Sequence, residues 1–174
     1  TIVHFGYSRS NQIPRIKELG AIVSANPYYI TVLSELYSKV GVGYARSQEM
    51  VRLGDLEDNI VTFALHSDMP MAPASPLQLM SSAVNRLNIA NKVAGPNQRI
   101  EVMNALKAVT INAAYVLGLE EDYGTISTGK FANITILDKN PLNIDKNSIS
   151  DIKVIGTIFE GKSFPAEKLI YKMN

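Results

Sequence analysis

Short apolar runs alternate with amphipathic segments through the first ninety residues, and this alternation restricts the fold more than any other feature. Thr1–Phe5, Ala21–Ser24 and Ile60–Leu65 are apolar runs of strand length. Between and after them, Ser10–Leu19, Tyr29–Val40 and Leu77–Leu87 carry apolar residues at helical spacing. Strand, helix, strand, helix, strand, helix at this spacing predicts βα units and a parallel sheet. Gly20 and Gly41 sit where helices should stop, and Pro14 falls inside a first helical turn. Residues 44–59 read as a polar connection with one or two helical turns near Ser47–Leu53, and Gly54-Asp55 as turn chemistry.

From Asn91 the character changes in two steps. A loop with Gly95-Pro96 precedes a long helical pattern, Arg99–Leu117, ended by Gly118. Beyond it the runs become strand-like, at Asn133–Leu137 and Ile152–Glu160, with a tight turn at Gly161-Lys162 and a tail from Pro165 to Asn174 of short helix or strand. The expected division is therefore residues 1–117, an α/β layer, and residues 118–174, a small β segment.

Composition removes several functional classes. With 17 basic and 16 acidic residues the net charge is +1, which offers nothing to nucleic acid or an anionic membrane. No apolar run approaches the roughly 18 residues of a membrane span. The chain has no cysteine, so disulfide scaffolds and thiolate metal sites are out, and a cytoplasmic setting is the expectation. It opens on Thr1-Ile2-Val3-His4 without a starting Met, as if cut from something longer.

Chemistry-bearing residues are few. The two histidines, His4 and His66, each lie at the downstream end of a predicted strand, where an α/β barrel presents its catalytic groups. Asp68 lies two positions past His66, so in an extended segment the two share a face. Imidazole with carboxylate suits Zn²⁺, and such an aspartate can take a proton from water. A histidine at a strand end is nevertheless more often a hydrogen-bonded structural residue, and an Asp before Met-Pro is often only a turn or cap. Arg46 could meet an anionic group or stand solvated. Tyr44 reads as a packing or rim residue.

Ala105–Ala114, Leu117-Gly118 and Gly124-Thr125-Ile126-Ser127-Thr128-Gly129-Lys130-Phe131-Ala132-Asn133, running on to Asp138, resemble the closing segment of metal-dependent amidohydrolases. There a helix leaves the barrel and a Gly-Lys turn starts the return strands of a small β-sandwich. Ile13-Pro14-Arg15, Ser24-Ala25-Asn26-Pro27 and His66-Ser67-Asp68-Met69-Pro70 look most like the branch of N-substituted formamide deformylase and its YtcJ-like relatives, which includes a group of exoenzyme regulatory proteins.

The resemblance implies the C-terminal part of a TIM-barrel amidohydrolase, about three βα units forming strands six to eight, followed by part of the β-sandwich. It implies His4 as a metal ligand, and Asp68 as ligand and proton shuttle. It leaves His66, Arg46 and Tyr44 as neighbours or substrate contacts. Val3 and Asn133 depart from the usual Glu and Asp of the family pattern. The family's other histidine ligands have no counterpart here, since two histidines are all there are.

The expected parent is a hydrolase of amide-like C–N bonds that uses a divalent metal, Zn²⁺ for preference, and a small-molecule substrate. The 174 residues alone are expected to be inactive, to bind no metal tightly, and to associate through exposed strand edges. The alternative is a non-catalytic regulatory or structural module.

Overall fold

A computed structural model describes residues 1–166, so the predicted tail beyond Ala166 lies outside the described residues. Three parallel strands, β1 (Ile2–His4), β2 (Val23–Ala25) and β3 (Phe63–Leu65), form a sheet in the order β1-β2-β3, in register His4–Ala25–Leu65. Helix α1 (Gln12–Glu18) joins the first two. It buries Ile13 and Ile16 and ends at Gly20, whose φ of +61° carries the chain back toward β2.

Between β2 and β3 the chain makes a longer excursion through α2 (Tyr28–Val40), α3 (Tyr44–Ser47) and α4 (Leu53–Asp58). The connection read as polar is therefore more structured than its composition indicates. Val51, Leu53 and Leu56 are fully buried, and Gly54 stands inside α4 rather than in a turn. A side chain at Gly54 would come within 2.5 Å of the Asn97 carbonyl, so the glycine serves close packing. The third predicted strand is also shorter than its apolar run. Ile60 is 78% exposed at φ +54°, in the turn that precedes β3.

Helix α5 (Pro76–Asn85) follows β3. Ser75 caps it by accepting from the Gln78 N–H, Pro76 occupies the first turn, and Leu79, Met80, Ala83 and Val84 face the core. The helix predicted over Arg99–Leu117 is two helices, α6 (Val102–Ala108) and α7 (Ile111–Leu117). Three β-branched residues, Val109-Thr110-Ile111, meet at the break, and the Thr110 hydroxyl donates to the Leu106 carbonyl at 2.8 Å. Such residues tolerate interruption better than continuation.

The break turns α7 so that Asn112 Nδ2 donates to the Phe63 carbonyl of β3 at 2.9 Å. Asn112→Ala removes that donor from a partly buried acceptor. It is expected to lower the urea-unfolding free energy by about 1–2 kcal/mol, against a few tenths for the exposed Lys107→Ala.

The core lies between this sheet and its helices, with Val23, Ala25, Phe63 and Leu65 packed among Ile13, Ile30, Leu56, Met80, Ala105 and Ala108. The fully buried alanines of α6 let helix and sheet approach closely.

Past Gly118 (φ +71°), Lys130 Nζ donates to the Glu120 and Tyr123 carbonyls and closes the Gly-Lys turn. A second sheet follows, antiparallel, in the order β4 (Ile134–Leu137), β5 (Val154–Phe159), β6 (Lys162–Pro165). The β5–β6 turn is Glu160-Gly161, both at positive φ as a two-residue hairpin requires, one position earlier than predicted. The segment is not detached from the first core. Ile149, in the 3₁₀ segment Lys146–Asp151, is fully buried against it, and Asn85 Nδ2 donates to the Lys146 carbonyl at 2.8 Å.

Candidate active site

In-register parallel strands end together, and their C-terminal ends here carry the candidate residues. Backbone bonds extend the ladder past each strand: Asn26 N–H donates to the His4 carbonyl at 3.0 Å, and His66 N–H to the Ala25 carbonyl at 2.9 Å. His4 and Asp68 both adopt left-handed backbone conformations, φ +67° and +55°. Each costs of order 1–2 kcal/mol for a residue with a Cβ, and such strain gathers at functional sites.

These turns bring His4, His66 and Asp68 together from positions up to 64 residues apart. His4 Nδ1 lies 3.1 Å from His66 Nε2 and 3.9 Å from Asp68 Oδ2. His66 Nδ1 shares a 2.8 Å hydrogen bond with Ser24 Oγ on the neighbouring strand, which fixes the plane of the ring. Burial is the main influence that lowers the His66 pKa from its ordinary value; His4 adds to it and Asp68 opposes it. Its neutral form is thus favoured.

Asn26, fully buried, braces the third strand end by donating from Nδ2 to the Ser67 carbonyl at 3.4 Å. The Tyr29 ring stands 6.3 Å from the His4 ring, and its pKa is raised, first by burial and then by Asp68.

Ser24 and Asn26 belong to a motif of the family resemblance, but neither they nor Tyr29 stood out in the sequence as site residues. They reach the site through strand register, which residue spacing does not reveal. Of the other two candidates, Arg46 lines a cleft of about 720 Å³ formed by Tyr7–Gln12 and the segment from Val42 to Arg52. Tyr44 is 71% exposed and is absent from that lining. A smaller groove of about 440 Å³ runs along the free edge of β1, past Ile2, Val3 and His4 to Ile16 and Leu19.

The donor set suits a divalent cation in part. Two bonds of about 2.1 Å to imidazole nitrogen and carboxylate oxygen can span the 3.9 Å between His4 Nδ1 and Asp68 Oδ2. Among the described residues no group of three or more His, Cys, Asp or Glu is arranged to enclose an ion, so these two would form part of a ligand set.

A profile described as the Amidohydrolase family matches residues 1–164. The chain belongs to the amidohydrolase family. This family member is 27% identical over 161 residues to N-substituted formamide deformylase from Arthrobacter pascens, covering 91% of the chain and 29% of the deformylase. Among solved structures it is similar to an uncharacterized metal-dependent hydrolase from Pyrococcus furiosus, at 32% identity and TM-score 0.68, over 82% of the chain and 28% of that protein. An adenosine deaminase from Xanthomonas campestris with bound zinc shares the fold, with TM-score 0.67 at 20% identity, over 99% of the chain and 38% of the deaminase. The chain thus spans under a third of the deformylase. No helix among the described residues is long and apolar enough to cross a membrane.

Proposed function

We propose that this amidohydrolase family member supplies the last three βα units and the return strands of a hydrolase that cleaves amide-like C–N bonds with water. Residues 1–117 would belong to the barrel and 118–174 to its sandwich segment. The convergence of His4 and Asp68 at aligned strand ends carries the reading, and membership of the family supports it. His4 and Asp68 would hold a divalent cation, for which Zn²⁺ has the right donor preference. When bound, such an ion lowers the pKa of water and polarises a carbonyl.

The chain's own residues do the rest. His4 offers Nδ1 toward Asp68, and its backbone is held by pairing with Ala25 of β2 and by the Asn26 N–H. The Asp68 carboxylate, 47% exposed, can accept the proton of the attacking water as the C–O bond forms. It can return that proton to the leaving nitrogen as the C–N bond breaks. Ser24 holds the His66 ring beside His4 and Asp68 through the 2.8 Å hydrogen bond to Nδ1.

Two protein ligands cannot match the three or four of a catalytic zinc site, so the chain alone should bind metal weakly and turn over little. A zinc titration followed by thermal shift and calorimetry tests the reading. Saturable Zn²⁺ binding should raise the melting temperature, and His4→Ala and Asp68→Asn should each weaken it by about tenfold or more. Zinc that binds equally well to both variants defeats the proposal.

A further inference from the structure

We propose that the cleft opening three residues past His4 is a subsite for a carboxylate group, read by Arg9 and Arg46, so that the amide substrate carries a negative charge away from its scissile bond. The role as a substrate subsite rests on the proposed hydrolase function; the capture of a carboxylate does not.

The position is set by the fold. Tyr7 and Ser8, which open the cleft wall, follow His4 by three and four residues in the loop that leaves the C-terminal end of β1. The opposite wall belongs to the excursion after β2, which leaves the same end of the sheet. The space, about 720 Å³, thus opens at the same end of the sheet as His4 and Asp68, with Tyr7, three residues past His4, as the lining residue nearest to it in the chain.

The charges in the cleft do not balance. Three guanidinium groups, Arg9, Arg46 and Arg52, face one carboxylate, Glu49. Arg52 is already engaged. It is buried, pairs with Glu49 and with Asp55 Oδ2 at 2.8 Å, and donates to the Ser8 carbonyl at 2.9 Å. That arrangement consumes the only carboxylate in the lining among the described residues. Arg9 and Arg46 have no carboxylate within 4.0 Å among the described residues.

Arg46 is moreover held in place. Its Nε donates to the Val42 carbonyl at 2.8 Å, which leaves both terminal nitrogens free to meet a carboxylate in bidentate fashion. An exposed arginine is ordinarily just solvated, but two unpaired ones in one concave wall, one of them anchored, form an anion site. Tyr7, Ser8 and Ser10 stand in the same lining and add hydroxyl groups to the wall beside the two arginines. A planar carboxylate matches the guanidinium fork, and the single positive sign of the cleft disfavours a cationic or purely apolar group.

The test is an amide ¹H–¹⁵N titration of the chain with N-acetylglycine, its methyl ester and inorganic phosphate in parallel. The acid should shift resonances at Tyr7–Gln12 and Val42–Arg52, bind about tenfold more tightly than the ester, and weaken with added salt. Arg46→Gln and Arg9→Gln should each weaken it several-fold, and the exposed location of both leaves the fold intact, which urea unfolding verifies. Equal binding of acid and ester, shifts elsewhere, no saturable shift, or unchanged binding in the double variant overturns the subsite. Phosphate binding more tightly than the acid overturns its assignment to a carboxylate. Zinc affinity measured on the same samples keeps the two ideas apart. Acid binding without zinc binding defeats the hydrolase reading alone, and zinc binding without acid binding defeats the subsite alone.

Discussion

Arg86→Met is expected to lower the free energy of unfolding by about 3–5 kcal/mol, a large fraction of the total for a domain of this size. Arg86 is 0% exposed and has no carboxylate partner among the described residues. Its guanidinium donates instead to backbone carbonyls from two loops. Nε reaches Ala94 at 2.6 Å, Nη1 reaches Val51 at 3.0 Å and Gln98 at 3.5 Å, and Nη2 reaches Met50 at 2.8 Å and Gln48 at 3.3 Å. Burial, and after it Arg99, push its pKa down to about 9, still above neutrality, so the charge is kept.

Methionine preserves much of the volume and supplies no donor. Several buried carbonyls would then be left unpaired, each at about 1–3 kcal/mol before relaxation. Arg86→Lys keeps a charge but not the planar fork, so it should recover only part of the loss. Urea unfolding of the three proteins decides the matter. A loss below about 1 kcal/mol for Arg86→Met would mean that the carbonyls find other donors.

The same knot makes Gly95→Ala unusually costly, by about 2–4 kcal/mol. Part of that is conformational, since Gly95 has φ +65° and alanine pays about 1–2 kcal/mol there. The rest is steric. A Cβ at this position would run into the Gln48 carbonyl oxygen and stand 3.1 Å from Arg86 Nη2, so either the loop or the guanidinium must move. Gly118→Ala is the control, because Gly118 has nearly the same backbone, φ +71°, with nothing within 4 Å of the added methyl among the described residues. It should cost only the conformational share. Equal losses at the two glycines would remove the steric argument. The double variant of Arg86 and Gly95 should also lose less than the sum of the single losses, since both disturb the same contacts.

These effects reach the site by a short path. Val51, whose carbonyl Arg86 holds, donates its N–H to the Gly6 carbonyl at 3.0 Å, two residues past His4. The buried arginine therefore braces the loop on which both His4 and the cleft wall depend.

Much of this architecture could be read from residue order. Short continuous apolar runs located the three parallel strands, and period-3.6 spacing the helices α1, α2 and α5, because a parallel strand covered on both faces is apolar throughout while a helix buries one stripe. The Gly-Lys turn and the antiparallel strands after Gly118 were likewise legible. Where the reading failed, a tertiary effect won. Val51, Leu53 and Leu56 are too sparse among polar neighbours to mark α4 as a core helix. The break at Thr110 trades helical continuity for the Asn112–Phe63 hydrogen bond, which no local propensity predicts.

The site divides in the same way. By itself the sequence determined that His4, His66 and Asp68 stand at strand ends, since apolar runs stop where polar groups begin. Only the tertiary structure decided that these ends align, that Ser24 bonds His66, and that Arg46 shares a cleft with Arg9 while Tyr44 stands outside it. Strand register and loop packing set those distances, and both arise from contacts between residues dozens of positions apart, which local sequence does not encode.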